Sequence, residues 1–378
     1  MRVDEIRWDN LTRLLEQVFI EKEVSRKALS GKVGVRNSTL SYLLGSLKEF
    51  GMVKIKNVSY GRGRPNQMIS LNPEYGNVMG IKIGRESLSA TVFDFSLSEV
   101  ESIVIPFDGT DNLEEDIIQE IQKLILNHRP LTLGFAVSGT IDLKEKEVFS
   151  SPILNLREFK LQEMLKTRGL DFLLFNDVDA LHVGQMVESG VFDRTSLTVT
   201  FGIGIGASFF DGEDILTSGD GKSIFELGHM AYDPDGEPCY CGRRGCLETV
   251  ASEYSLIAER PSIKMFVENF GNYREEIKKI RTAAKSGKKK NVYKPVLKKL
   301  GRAISNISLL LRPSLVWIGG EGLVSNWIFE EIKAEILAQI PEEWGYLPEV
   351  KKIKSVQGWQ RGAAFLALRH FIRNKLKE

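Results

Sequence analysis

The feature that most constrains this chain is the stretch EPCYCGRRGCLE, which holds Cys239, Cys241 and Cys246, all three cysteines of its 378 residues. Three thiols cannot pair off into disulfides, and three thiolates are one ligand short of a closed tetrahedral zinc site. The chain has four histidines: His128, His182, His229 and His370. Of these, His229 lies 10 residues before Cys239, within reach of a single loop. His229, Cys239, Cys241 and Cys246 are therefore expected to form a closed zinc site. Its role is structural rather than catalytic, because no coordination position stays open. Such a site supplies on the order of 10 kcal/mol of local folding energy, enough to hold a loop with little core of its own. The alternative reading is three buried thiols without a metal.

The net charge of +1 hides an uneven distribution. Residues 1–75 carry 13 Lys/Arg against 8 Asp/Glu, and between Arg26 and Arg64 nine basic residues face one acid, Glu49. A basic segment on a near-neutral body calls for an anionic partner at one end. In that segment Leu11, Leu14, Leu15, Val18 and Phe19 mark one face of a helix. Ser25 is a good N-cap for a second helix that stops at Gly34. A third puts Leu40, Leu43, Leu44, Leu47 and Phe50 on one face and leaves Ser38, Thr39, Ser41 and Tyr42 on the other, just after Arg36 and Asn37. Two strand-like runs then flank Gly61-Arg62-Gly63-Arg64-Pro65. The set reads as a winged helix-turn-helix over residues 1–72. Arg36 to Tyr42 would face the major groove of a double-stranded DNA operator, and Arg62 and Arg64 a narrow minor groove. The other reading is a small helical domain that binds protein, with the basic residues as a solvated face.

From Tyr75 onward strands alternate with helices, which implies two α/β lobes with a crevice between them. The first is expected over 73–190 together with a terminal helix at 359–378, the second over 191–358 with the cysteine loop at 229–248. The sequence GIGIGA at 202–207 fits a dinucleotide fingerprint formally, but SFFDG follows it where a helix is required. A glycine-rich hairpin lining a cleft fits better. The run KSGKKKN at 285–291 reads as a solvated loop. Hydrophobic residues at 42% and charged residues at 27% describe an ordinary soluble protein, with no apolar run long enough for a membrane span. No export signal is recognisable and the thiols are free, so the expected location is the cytoplasm.

The combination ELGHM…CYCGRRGCLETVAS with the glycine hairpin before it resembles the ROK family of repressors, open reading frames and sugar kinases. The arm ending in Gly-Arg-Gly-Arg-Pro resembles the repressor branch, the xylose- and N-acetylglucosamine-repressor type. The resemblance implies an actin-like, ribonuclease-H-like two-lobed fold of the ATPase type with a sugar in the cleft. It implies sugar contacts from Gly139, Asn176, Asp177, Glu226, His229 and Glu248, with Asp177 the catalytic base if the chain is a kinase. It implies nucleotide contacts from Gly202, Gly204, Gly319 and Gly320. On the residues alone, Asp177 equally suits a helix N-cap, and Glu226 and Glu248 suit surface acids.

One departure bears on function. The family's kinases open the first lobe with G-x-D-x-G-G-T, whose aspartate organises magnesium and phosphates, whereas this chain reads GIKIGRES, with Lys82 for the aspartate and Arg85-Glu86 for Gly-Thr. Phosphoryl transfer depends on positioning and metal-assisted charge stabilisation, so ATP and magnesium are not expected as cofactors. The expected function is a sugar-responsive transcriptional regulator, a repressor of carbohydrate-utilisation genes, acting as a homodimer or tetramer. Its effector would be a monosaccharide or short oligosaccharide. The rival is an ATP-dependent hexose or N-acetylhexosamine kinase that carries a DNA-binding arm. A third reading keeps the DNA-bound module with a vestigial cleft.

Overall fold

The computed structural model describes residues 3–59, 66–107, 113–142, 146–165, 170–218, 225–355 and 357–375. Three helices open the chain: α1 (Val3–Glu21), α2 (Arg26–Val33) and α3 (Asn37–Glu49). Ser25 caps α2, its Oγ accepting from Ala28 N at 3.3 Å, and Gly34 ends the helix at a φ of 72°. The strands β1 (Glu23–Ser25), β2 (Val53–Val58) and β3 (Asn66–Leu71) form an antiparallel sheet in the order β1-β3-β2. β1 escapes sequence reading because 3 residues are too short to show alternation. Leu11, Leu14, Leu15 and Val18 of α1 pack with Leu40, Leu43, Leu44 and Leu47 of α3 in one buried cluster. Phe50 departs from the expected apolar face: it lies past the last turn of α3 and is 41% exposed. The segment expected to form the wing tip, with Arg62 and Arg64, lies outside the described residues.

Two α/β lobes follow. The first begins with β4 (Asn77–Ile83), β5 (Ser87–Asp94), β6 (Glu99–Pro106), α4 (Leu113–His128) and β7 (Thr132–Val137). A small antiparallel sheet of β8 (Thr140–Asp142), β9 (Glu147–Ser151) and β10 (Leu156–Phe159) leads through α5 (Leu161–Leu165) to β11 (Phe172–Asn176) and α6 (Asp177–Ser189). The main sheet runs β11-β7-β4-β5-β6, with β4, β7 and β11 parallel and the hairpin strands antiparallel. Every residue of β7 is buried, as expected of a parallel strand covered on both faces. α4 covers one face through Ile117, Ile118, Ile121 and Leu124.

The second lobe comprises β12 (Ser196–Phe201), β13 (Ile205–Phe210), α7 (Leu247–Ala251), α8 (Ile263–Glu268), α9 (Arg274–Lys285), α10 (Lys290–Leu311), β14 (Leu315–Gly319), α11 (Asn326–Ala338) and β15 (Glu349–Lys352). Its sheet runs β13-β12-β14-β15. Gly202-Ile203-Gly204 turns β12 back into β13, so a strand follows the glycines and no helix N-terminus is presented there. Residues 285–291 are less of a loop than expected: they end α9, turn through Gly287 and Lys289, and begin α10.

The lobes meet at α6. His182, fully buried, sits between Ser208 Oγ at 3.2 Å and Ser196 Oγ at 2.8 Å, both on second-lobe strands. Burial pushes this imidazole down to about 3, so it is neutral and serves as a hydrogen-bonded pin.

Helix α12 (Gly358–Lys375) then returns to the first lobe and lies on α6, β4 and β7, on the face opposite α4. It packs at backbone distance. A Cβ on Gly80 would stand 1.8 Å from the Gln360 carbonyl oxygen, and one on Gly134 would stand 1.9 Å from that of Ala363. Farther along, α12 supports the N-terminal helices: the Phe19 and Phe365 rings lie 4.9 Å apart, and Arg369 Nε donates to Glu16 Oε1 at 2.6 Å. The buried cluster of α1 and α3 continues without a break into Phe365, Leu368 and Ile372. Among the described residues no helix is long and apolar enough to cross a membrane.

Gly80→Ala is expected to lower the free energy of unfolding by about 1–3 kcal/mol, because the added methyl must displace α12. Gly31→Ala, inside α2 where an added Cβ meets nothing, is expected to raise it by up to about 1 kcal/mol. Urea unfolding followed by circular dichroism measures both, and equal shifts would refute the close helix contact.

Candidate functional site

A cleft of about 700 Å³ opens between the lobes. Its first-lobe wall carries Lys82, Arg85, Gly139, Asn176 and Asp177; its second-lobe wall carries the Gly202–Gly206 turn, Glu226, His229, Tyr240, Glu248 and Glu321. The first turn of α12 closes the floor with Trp359 and Gln360.

The knuckle below one end of the cleft is shaped by backbone hydrogen bonds. Cys239 N donates to Arg243 O at 2.8 Å, Gly242 N to Cys239 O at 3.1 Å, and Tyr232 N to Gly245 O at 2.8 Å. A Cβ on Gly245 would collide with Asp233 O at 1.5 Å, so only glycine allows the chain to fold back there. This brings the four expected ligands together, with one ligand atom from each of His229, Cys239, Cys241 and Cys246 all within 4.8 Å of one another. The Cys239 Sγ–His229 Nδ1 and Cys241 Sγ–Cys246 Sγ distances are both 3.6 Å. Metal–sulfur bonds of about 2.3 Å in a tetrahedron require ligand edges of about 3.8 Å, so the donor set fits a tetrahedral cation. Burial pushes the Cys239 and Cys246 thiols up, and a bound cation would favour their thiolates. A Cys/His cluster that could hold a metal ion is thus present.

The sugar-facing expectations converge on the same cleft. Asn176, not Asp177, is the N-cap of α6: its Oδ1 accepts from Val178 N at 2.9 Å, and its Nδ2 donates to Gly139 O at 3.0 Å. Asn176 thus takes the cap position, and Asp177 begins the helix with its carboxyl lining the cleft while backbone N–H groups of Asp177 and Val178 reach it. Burial raises this carboxyl's pKa, Lys82 pulls it down and Glu321 pushes it up again. Glu248 is no surface acid, at 5% exposure. Its Oε2 accepts from Ile205 N at 2.9 Å and its Oε1 from Tyr240 OH at 2.7 Å, while burial raises its pKa. Glu226 is exposed but lines the cleft, and Gly139 turns there at a φ of 108°.

Of the four glycines expected near nucleotide, Gly202, Gly204 and Gly320 line the cleft. Gly319 does not; it packs against Ile353 and Leu181 beneath it. Lys82, which sequence analysis singled out, is paired: its Nζ lies 3.0 Å from Glu321 Oε1 and 3.6 Å from the centre of the Trp359 ring. Glu321, Trp359 and Tyr240 were not anticipated. Only Tyr240 left a trace in the sequence, as the residue between two of the clustered cysteines; its ring meets that of His229 edge-on at 5.1 Å. Far from the cleft, Arg36, Asn37, Ser38, Thr39, Ser41 and Tyr42 are all exposed at the start of α3. There Arg26 donates to Ser41 Oγ and to Gln67 Oε1, the latter at 2.8 Å.

Comparison with known proteins agrees with this geometry. The chain is 25% identical over 374 residues to the xylose repressor of Caldicellulosiruptor bescii, covering 91% of this chain and 92% of that one. Its fold matches the crystal structure of a ROK family transcriptional regulator, a homologue of the E. coli Mlc protein, with a TM-score of 0.77 at 21% identity over 98% of both chains. It also matches a ROK family glucokinase from Streptomyces griseus in complex with glucose and AMPPNP, with a TM-score of 0.65 at 22% identity, covering 77% of this chain and 99% of that one. The model of the ROK family itself matches residues 78–370, and the chain belongs to that family.

Proposed function

We propose that this chain is a sugar-responsive transcriptional repressor of carbohydrate-utilisation genes. What supports the reading most is that the likeness to a xylose repressor spans nearly the whole chain, beyond the part shared with the glucokinase. In this reading the N-terminal unit is a winged helix-turn-helix. Arg36, Asn37, Ser38, Thr39, Ser41 and Tyr42 on α3 enter the major groove, and Arg62 and Arg64 supply the wing. A homodimer or tetramer would address two half-sites. The effector, a monosaccharide or short oligosaccharide, binds between Gly139, Asn176 and Asp177 on one wall and Glu226, His229 and Glu248 on the other. A carboxylate-rich cleft accepts from vicinal hydroxyls and rejects analogues that lack them. To act, the sugar must favour one arrangement of the lobes over another. Zinc held by His229, Cys239, Cys241 and Cys246 would brace the loop that carries the sugar contacts.

The kinase reading rests on the fold shared with a glucokinase and on Asp177, a carboxyl placed to take a hydroxyl proton. Against it stands Lys82, whose ammonium occupies the place of the metal-organising carboxylate and is already paired with Glu321.

Footprinting on the chain's own upstream region, with and without monosaccharides, tests the reading directly. Arg36→Ala, Arg62→Ala and Arg64→Ala are each expected to reduce the slope of log affinity against log salt by about one phosphate equivalent. An unchanged slope in all three would take α3 and the wing off the duplex. Asp177→Ala and Glu226→Ala are each expected to cost about 1–3 kcal/mol of sugar affinity by calorimetry, and to leave operator affinity without sugar intact. Wild-type protein is expected to show no sugar phosphorylation with ATP and magnesium. Turnover at about 1 s⁻¹ or more, lost in Asp177→Ala, would establish the kinase instead.

Elemental analysis is expected to find about one zinc per chain, with metal–sulfur distances near 2.3 Å by X-ray absorption. Cys241→Ser should release the metal and weaken sugar binding. Full sugar affinity in metal-free protein would end the structural role.

A further inference from the structure

The first-lobe residues that break the kinase phosphate-loop pattern, Lys82, Arg85 and Glu86, all touch the second lobe. Lys82 Nζ reaches Glu321 Oε1 at 3.0 Å. Arg85 donates to the carbonyl oxygen of Ile153 in its own lobe at 2.6 Å, and to those of Val267 at 2.6 Å and Glu268 at 3.1 Å, which ties β4's outgoing turn to the end of α8. Glu86 pairs with Arg274 at the start of α9 at 2.6 Å. The Glu321 carboxylate stands over the Gly202 turn, where a Cβ would meet its Oε2 at 3.7 Å. An anion from the protein's own chain thus covers the glycines, and a cation from the other lobe faces it. Lys82 draws the Glu321 carboxyl below the usual range, which favours its carboxylate form.

We infer that this end of the cleft is an internal latch. Glu321 takes the position over the glycine turn that a bound phosphate would need, and Lys82, Arg85 and Glu86 hold the lobes at a fixed spacing without nucleotide. A single half-exposed ion pair does little against solvent screening. Here two ion pairs and two hydrogen bonds to carbonyls, those of Val267 and Glu268, act across one gap, so opening the lobes breaks them together. The latch also has an outlet. The Lys82 ammonium lies 3.6 Å above the Trp359 ring, in the first turn of α12, and the far end of α12 holds α1 through Phe365 and Arg369. Because α12 packs at backbone distance on Gly80 and Gly134, it moves as a rod rather than bending. In the same first turn, Trp359 Nε1 and Gln360 Oε1 are buried without a hydrogen-bond partner among the described residues, so the latched arrangement leaves polar capacity unmet there. Lobe spacing is therefore transmitted from Lys82 through Trp359 to α1, which assigns Lys82, Glu321 and Trp359 as positioning residues. The relay rests on the regulator reading; the latch itself does not.

Native-state hydrogen exchange of the full chain, with neither sugar nor DNA, tests both. Glu321→Gln and Lys82→Met are each expected to speed amide exchange by about tenfold in α8, in the first turns of α12 and in α1. The double variant should add little to either single one, as for one shared interaction. Trp359→Leu should speed exchange in α1 while leaving α8 as in the wild type. If exchange in α1 is unchanged in every variant, the relay is wrong. If α8 is also unchanged, or the two single effects simply add, there is no latch. Should Lys82→Met fail to fold, Glu86→Gln opens the second tie and carries the same test. A wild-type chain that binds no operator would sink the regulator reading and leave the exchange result standing.

Discussion

The structure depends on one contact, the seating of α12 on glycines. A helix can lie against a sheet at backbone distance only where the facing positions have no side chain, and Gly80 and Gly134 provide that on β4 and β7. The consequence is geometric. The same helix places Trp359 in the floor of the cleft and Phe365, Leu368 and Ile372 under the N-terminal helices. The two ends of the molecule that carry chemistry are therefore joined by one stiff element rather than by a linker. Separate boundaries for the N-terminal unit and the first lobe, natural from composition, describe the chain order better than they describe the core.

Within the cleft, each polar group is held by a specific neighbour. Asn176 spends both ends of its amide on Val178 N and Gly139 O, so it fixes the start of α6 and leaves the Asp177 carboxyl to face the opening. Glu248 is oriented by Ile205 N and Tyr240 OH, and Tyr240 in turn abuts His229 of the metal cluster. A cation in the Cys/His cluster would therefore brace Glu248 through His229 and Tyr240, by loop rigidity rather than by its charge.

Local signals were legible in the sequence to the extent that their causes are local. Ser25 and Gly34 bound α2 because a cap and a left-handed turn need only their own few residues. The Cys/His cluster was legible because three of its residues share one knuckle, and the fourth lies one loop away. The GIGIGA turn was read as a hairpin from the strand residues after it, and the two strands pair as that reading requires. What escaped was set by distance along the chain. Glu321 meets Lys82 across 239 positions, and nothing in either local pattern announces the pairing. Phe50 fits a helical period but falls beyond the helix that would bury it. Lys82 itself was legible only as a departure from a pattern; its partners required the fold.

The continuous core of α1, α3 and α12 has a consequence for how the protein is made. During synthesis the N-terminal helices emerge first, while α12 is the last element of the described chain to leave the ribosome. Until then Phe19 and its neighbours lack Phe365 and Leu368 to pack against, and Glu16 lacks Arg369. A chain that lacks α12 thus leaves exposed the apolar face of α1 that Phe365 and Leu368 cover, the kind of surface that promotes aggregation. The amino-terminal helices therefore complete their packing only after α12 has been made, when the rest of the described body is already in place.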